Sequence, residues 1–312
     1  MSSLFYAFPY GADTLLVGTL LNGRYRVLKN LGKGGEAELF VAWDEDLERR
    51  VAVKFQHPRS FEPTSWFLHN GKRIEKEYVR LEKVLDVRGI PRVLDEGHLD
   101  GGHGRRYLVM EFVDGVTVKS WIAAHQPVPS AAAVSLVAQL CEILVGLHAS
   151  GYVHRDVTPT NTMVQPDGQV RLLDLGISIA NGELNNDPCG SPGYAAPEQY
   201  DPETRLTPQV DVFALGAMLF EMVVSKLPYS GLRPPLDDTA VAFPKNFRAE
   251  MPEDLRALGL AMIAVDPRER PDGVGEVLRS LRPMLPPLGS PTSPKAARPD
   301  PTAYYRIGWS AL

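Results

Sequence analysis

The stretch Tyr152–Gly176 reads Tyr-Val-His-Arg-Asp-Val-Thr-Pro-Thr-Asn-Thr-Met-Val, then Gln-Pro-Asp-Gly, then Gln-Val-Arg-Leu-Leu-Asp-Leu-Gly. Val153, Met163–Val164 and Val170–Leu173 are short apolar runs, and Pro166-Asp167-Gly168 is a turn. A hairpin closed there sets Asn161 and Asp174 at neighbouring strand ends, with Asp156 on the loop before them. An amide and a carboxylate offer the oxygens that Mg²⁺ takes. Asp156 is then left to orient a hydroxyl and accept its proton.

Upstream of this passage, Tyr25–Leu31 alternates polar and apolar residues as a half-buried strand does. It leads into Gly32-Lys-Gly34-Gly35-Glu-Ala37-Glu-Leu39. Glycines let backbone N–H groups approach phosphates closely, although a glycine-rich turn alone usually means a hairpin. Val51-Ala52-Val53-Lys54 follows. Pro58 and Pro63 mark a loop, and Lys72–Val87 has helical spacing. Pro91–Glu96 and Arg106–Val113 read as strands around a turn at Gly101–Gly104. Ser130–Ser150 reads as a helix capped by Ser130, with Val134, Val137, Cys141, Leu144 and Leu147 on one face and Gly151 as its stop. Downstream stand Gly190-Ser191-Pro-Gly-Tyr-Ala-Ala-Pro197-Glu198, an apolar helix from Asp211, and Asp266-Pro-Arg-Glu-Arg270-Pro.

In order and spacing these resemble the motifs of eukaryotic-like (Hanks-type) serine/threonine protein kinases, over residues 24–283. The style is that of the bacterial members. The resemblance implies an α+β, bilobal fold with a β-rich N-lobe and a mainly helical C-lobe. It implies ATP and Mg²⁺ as cofactors and a protein Ser or Thr hydroxyl as acceptor. Gly32, Gly34 and Gly35 would cover the phosphates, with Ala37 in place of the usual third glycine and Leu39 in place of the usual valine. Lys54 would contact the α- and β-phosphates, held by Glu77, with Glu75 as the alternative. Ala52 and Met163 would flank adenine and Leu39 would cover it. The backbone of Glu111–Val113 would be the hinge that binds adenine, with Met110 as gatekeeper. Asn161 and Asp174 would hold Mg²⁺, and Asp156 would be the catalytic base. His154 and Leu175 would be packing residues. Asp211 would anchor the catalytic loop, and Arg270 would be the buried partner of Glu198. The form of Gly190–Glu198 is the Ser/Thr-specific one. It also argues against a small-molecule phosphotransferase of the aminoglycoside-kinase type, which lacks that element.

Two departures matter. Thr158 stands where these kinases carry a lysine that meets the γ-phosphate. A hydroxyl supplies no charge, and one lost charged contact is worth roughly a hundredfold in rate. A slow enzyme or an inactive, ATP-binding pseudokinase scaffold is therefore the alternative reading, against which stand Lys54, Asp156, Asn161 and Asp174, all present. Second, Arg155 in such kinases pairs with a phosphate on the activation loop. The only hydroxyl between Gly176 and Gly190 is Ser178, too close to the magnesium site. Glu183 or Asp187 is expected to meet Arg155 instead. Cys189 beside that segment reads as an incidental cysteine.

Composition bounds the rest. A net charge of −5 lacks the basic footprint of nucleic-acid binding. Two cysteines suit a reducing, cytoplasmic location. No run of ~18 uncharged apolar residues marks a membrane span, and no basic n-region marks a signal peptide. The expected domains are a leader at 1–23, an N-lobe at 24–113, a C-lobe at 114–285 and a tail at 286–312. Residues 1–23 show no strong element. Seven prolines in the 19 residues 283–301 read as a linker or disordered tail. The aromatic end, Tyr304, Tyr305 and Trp309, is expected to dock on the domain or on a partner.

Overall fold

The computed structural model describes residues 15–33, 37–56, 73–99, 105–229, 235, 241 and 251–308. Residues 1–14, Gly34, Gly35, the expected loop at Pro58 and Pro63, the Gly101–Gly104 turn and Trp309 lie outside the described residues. The chain divides into two compact units, Met1–Glu82 with Pro91–Phe112, and Lys83–Ile90 with Val113–Leu312.

The first unit is built on one antiparallel sheet. Its strands are β1 (Leu20–Leu21), β2 (Tyr25–Lys33), β3 (Ala37–Asp44), β4 (Arg49–Gln56), β5 (Val93–His98) and β6 (Arg106–Glu111), in the order β1-β2-β3-β4-β6-β5. The period of two decides what β4 does. Val51, Val53 and Phe55 enter the core with Tyr25, Val27, Phe40, Tyr107 and Val109. Ala52 and Lys54 therefore stand on the opposite face. Helix α1 (Arg73–Lys83) carries Glu77. It ends four residues before the expected Val87, where Val84 and Val87 stay buried on a turn.

The region before β2 holds more than its sequence announces. Leu15 is buried in the core, Gly18 N donates to Val27 O (2.8 Å) and Val27 N donates to Thr19 O (2.9 Å). A two-residue strand is too short to show a period, so β1 leaves no pattern to read.

The second unit is mainly helical. Its elements are β7 (Val116–Thr117), α2 (Val118–His125), α3 (Ser130–Ala149), β8 (Tyr152–Val153), β9 (Thr162–Val164), β10 (Val170–Leu172), β11 (Ile179–Ala180), α4 (Gln209–Val224), α5 (Glu253–Met262), α6 (Val274–Leu281) and α7 (Ala303–Ile307). Helices α3 and α4 are apolar all round because both are core helices. By length and composition alone α3 could cross a membrane, yet 72% of its apolar window is buried within the protein. Ser130 does not cap it. Ser130 is the first helical residue, and the carbonyl of Pro129 receives Ala132 N and Ala133 N. Gly151 (φ +85°) ends the helix as expected. Strands β9 and β10 form the expected hairpin, Val164 facing Val170 and Thr162 facing Leu172.

The proline-rich segment is no linker. It continues along the second unit, with Ala297 and Tyr305 buried, and ends in α7.

Candidate active site

In the first unit, one row of cross-strand partners carries the expected nucleotide residues. Gly32 faces Leu39, Leu39 faces Lys54, and Ala52, two residues back, faces Met110. Gly32 holds φ +149°, a conformation that side chains rarely take. Lys54 Nζ lies 2.7 and 2.9 Å from the two carboxylate oxygens of Glu77, whose side chain is 2% exposed. An ion pair this dry holds the lysine in one geometry. Glu75, the alternative, pairs instead with Arg106. Glu111, at the end of β6, is tied to Arg92: its N–H donates to Arg92 O (2.9 Å).

In the second unit, a buried carboxylate shapes the loop after β8. Asp211 is fully buried and accepts His154 N (2.9 Å) and Arg155 N (2.9 Å), and it shares a further hydrogen bond with His148 Nε2 (2.8 Å). Burial pushes its pKa up, but the bond and charge of His148, with His154, outweigh it and hold Asp211 below the ordinary aspartate range. Arg155 sits at φ +69°, a strained conformation that these bonds hold in place.

Asp156 follows directly. Its Oδ2 accepts Asn161 Nδ2 (2.7 Å) and its Oδ1 accepts the hydroxyl of Ser191 (2.6 Å). The Asn161 nitrogen also donates to Asp156 O (3.1 Å), so the amide has its Oδ1 left to offer a cation. Leu173 N donates to Asn161 O (2.7 Å), which brings the two ends of the hairpin together. Asp174 stands next, exposed, at φ +64°, with Gly176 N bonded to its Oδ1 (2.8 Å). His154 bridges the two arms. It accepts Asp156 N on Nδ1 (3.2 Å), so Nε2–H is left to donate to Leu173 O (3.1 Å). Leu175 is fully buried and Val113 is buried, whereas Met163 is half-buried between partners Thr117 and Arg171.

An amide oxygen and a carboxylate suit Mg²⁺, which is commonly held by one or two carboxylates plus phosphates and waters. Among the described residues no cluster of three or more His, Cys, Asp or Glu could hold an ion by itself. The donor set thus fits an ion delivered with a polyphosphate.

The sequence model of the protein kinase domain matches residues 25–280. The chain belongs to the protein kinase family. It is 31% identical over 250 residues to the serine/threonine-protein kinase PrkC of Bacillus subtilis, covering 78% of this chain and 36% of that one. It is 29% identical over 281 residues to the probable serine/threonine-protein kinase PknB of Lactococcus lactis (85% and 42%). It is 30% identical over 277 residues to PknB of Mycobacterium tuberculosis (84% and 43%). The chain thus spans less than half the length of these curated relatives.

In this member of the family, the segment from Gly176 to Gly190 is held by neutral groups. Arg155, 5% exposed, donates to Asn185 Oδ1 (2.9 Å), Asp187 O (2.9 Å), Ile177 O (3.4 Å) and Cys189 Sγ (3.3 Å). The expected carboxylate pairing is corrected: Glu183 turns to Ala180 N (3.0 Å), and Asp187 meets Arg155 through its main chain. Asn185, fully buried, takes the place because its Nδ2 can also donate to Gln199 O and Asp201 O (3.0 Å each), which no carboxylate could do. Gln199 closes the network by donating to Arg155 O and Cys189 O. Ser178 is buried on Leu175 O (2.9 Å). Glu198 and Arg270 form the bidentate pair at 2.6 and 2.9 Å.

The role expected for Thr158 is also revised. Its side chain is buried, its hydroxyl shared with Thr160 (2.9 Å) and with Asn161 N (3.3 Å). It pins the loop rather than reaching outward. Ser191, by contrast, stands out in the sequence only as part of a segment, and the structure sets it on Asp156. Its position directly after Gly190 is the one available signal.

Proposed function

We propose that this chain transfers the γ-phosphoryl group of ATP to Ser or Thr hydroxyls of proteins. The observation that carries the reading is Asp156: an aspartate on a loop fixed by Asp211, bonded to Asn161, with Asp174 at the adjoining strand end. The hydroxyl of Ser191 at 2.6 Å from Oδ1 gives the distance at which an acceptor hydroxyl bonds that oxygen.

In the proposed reaction the acceptor oxygen forms a bond to the γ-phosphorus, the bond to the bridging oxygen breaks, and ADP leaves. The acceptor proton passes to Asp156. The transition state is loose, so the protein's work is positioning and charge stabilisation. Lys54, held by Glu77, takes the α- and β-phosphates. Asn161 and Asp174 would hold Mg²⁺, which when bound would neutralise phosphate charge. Gly32, Leu39, Ala52, Glu111, Val113 and Met163 take the nucleotide's remaining surface. The names of the relatives and the Gly190–Glu198 segment favour Ser/Thr acceptors. The four charged or amide residues are each held by specific bonds, a provision that a pure scaffold does not require. We assign the chain to the cytoplasm, with no nucleic acid as partner and α3 as a core helix rather than a membrane span.

The test is incubation with labelled ATP, Mg²⁺ and a generic protein substrate, followed by phosphoamino-acid analysis, beside Asp156→Asn. Label on serine or threonine that vanishes in the variant supports the reading. Equal labelling by both proteins, or none by the wild type, overturns it.

A further inference from the structure

The tail and the catalytic hairpin share one buried amide. Gln139, on α3, is 3% exposed. Its Oε1 accepts Val170 N (2.9 Å), and its Nε2 donates to both Gly168 O and Pro301 O (3.1 Å each). Both Nε2 hydrogens are thereby used, one on the hairpin turn and one on the tail.

Contact between turn and tail is also direct. A Cβ at Gly168 would collide with Asp300 O, and Gly168 holds φ +88°. The tail is fastened on both sides of that point. Trp121 Nε1 donates to Pro299 O (2.9 Å), and Arg298 N donates to His125 Nε2 (3.2 Å). Arg306 bonds Asp300 Oδ2 (2.8 Å). The hydroxyls of Tyr304 and Tyr305 donate to separate oxygens of Glu142 (3.0 Å each). These are donors and acceptors aimed at one course of the chain, not a loose apolar cover.

The hairpin so gripped ends at the residues that matter. Strands β9 and β10 leave the turn in a fixed register, and Leu173 N on Asn161 O locks their far end beside Asp174. A strand pair transmits a shift at its turn to its ends, since a slip of one residue reverses every side chain. Oxygen ligands need placement within about 0.5 Å to serve a metal.

We propose that Ala297–Ile307 is a brace for the catalytic hairpin, acting through Gln139 as a positioning residue, and that it sets the affinity of Asn161 and Asp174 for the nucleotide-bound metal. The proposal rests on the kinase reading for the role of those two residues.

The experiment uses the full chain as wild type, Tyr304→Phe/Tyr305→Phe and Gln139→Glu. The glutamate still accepts from Val170 N but, even when protonated, has one O–H and so cannot donate to both Gly168 and Pro301. Tail release is read by the rate of tryptic cleavage after Lys295 and Arg306. Metal affinity is read by Mn²⁺ titration with electron paramagnetic resonance in the presence of a non-hydrolysable ATP analogue. Turnover is then measured against Mg²⁺. The brace predicts faster cleavage, Mn²⁺ binding weakened by about tenfold, a matching rise in the Mg²⁺ needed for half-maximal turnover, and little change in kcat at saturating Mg²⁺. Faster cleavage with wild-type Mn²⁺ affinity overturns it and leaves the tail a cover. So does Gln139→Glu with cleavage and Mn²⁺ affinity both as in the wild type. A wild type that binds Mn²⁺ with the analogue but transfers no phosphate sinks the kinase reading alone.

Discussion

Asp211→Asn is the sharpest test of how the catalytic loop is held. The change preserves shape but converts one of two acceptor oxygens into a donor. The substituted amide can receive His154 N or Arg155 N on its one oxygen, and its NH₂ group then faces the other N–H. The structure thus forfeits one charge-assisted bond, worth about 1.5–3 kcal/mol, and leaves a buried N–H unpartnered. A loss of about 3 kcal/mol lowers the melting temperature of a chain this size by about 6–12 °C. The effect on activity comes by a different route. Arg155 is held at φ +69° against strain of about 1–3 kcal/mol. Released, it relaxes and carries Asp156 with it, and a misplacement of about 1 Å costs on the order of a hundredfold in kcat. The KM for ATP stays within a few-fold, because Lys54 and Glu77 are untouched. The pH dependence supplies an independent signature. Asp211 has a depressed folded pKa, so its stabilisation is complete above the unfolded aspartate value of ~4 and is lost as pH falls through the folded value. The variant has no such term. The stability gap, measured by urea unfolding, should be full near pH 6 and narrow well below pH 4. A gap that persists at low pH, or a variant with wild-type kcat, refutes the reasoning.

Lys54→Met should nearly abolish phosphoryl transfer and should destabilise the first unit by removing the ammonium that both carboxylate oxygens of Glu77 accept from; steady-state assay and calorimetry check both, and equal turnover would sink the role given to Lys54. Thr158→Lys should not raise kcat, because it removes the hydroxyl that pins Asn161 N and must expel a charge from a buried site; a clear increase would show that a missing cation limits the rate. Asn185→Ala should cost about 1.5–3 kcal/mol by removing an acceptor from a buried guanidinium and should speed proteolysis of the activation segment. Phosphatase treatment of the wild type should leave activity unchanged, as the neutral network around Arg155 requires; activity that disappears with a phosphate mapped by mass spectrometry would contradict it.

What is legible in the sequence follows a physical line. The hairpin at Pro166–Gly168, the alternation of Arg49–Gln56 and the apolar run of α3 are local patterns whose period or turn chemistry is written in consecutive residues. The Lys54–Glu77 pair is legible only through the family resemblance, since charge alone does not separate Glu77 from Glu75 on the same helix. Asn185 against Arg155 is not, since an amide carries no charge to announce itself. The tail misleads for the same kind of reason. Proline content reports the loss of N–H donors, whereas what holds the tail is its carbonyls at Pro299 and Pro301, received by Trp121 and Gln139 far away in sequence. Thr158 takes its expected role from its position in the motif alone, and only the direction of its side chain shows that it serves the loop.

The division of the chain also bears on how it is made. Lys83–Ile90 belongs to the second unit, although the first unit resumes after it at Pro91. Val84, Val87 and Ile90 are buried there, Gly89 O receives Leu172 N, and Gly89 lies so close to Ile143 that no side chain would fit. On the ribosome the last strand of the first sheet emerges with Glu111, long before α3 or β10 exists. At roughly 5–20 residues per second, those three apolar side chains wait for seconds with nothing to cover them. A fragment ending at Phe112 should therefore be sticky even if its sheet is sound.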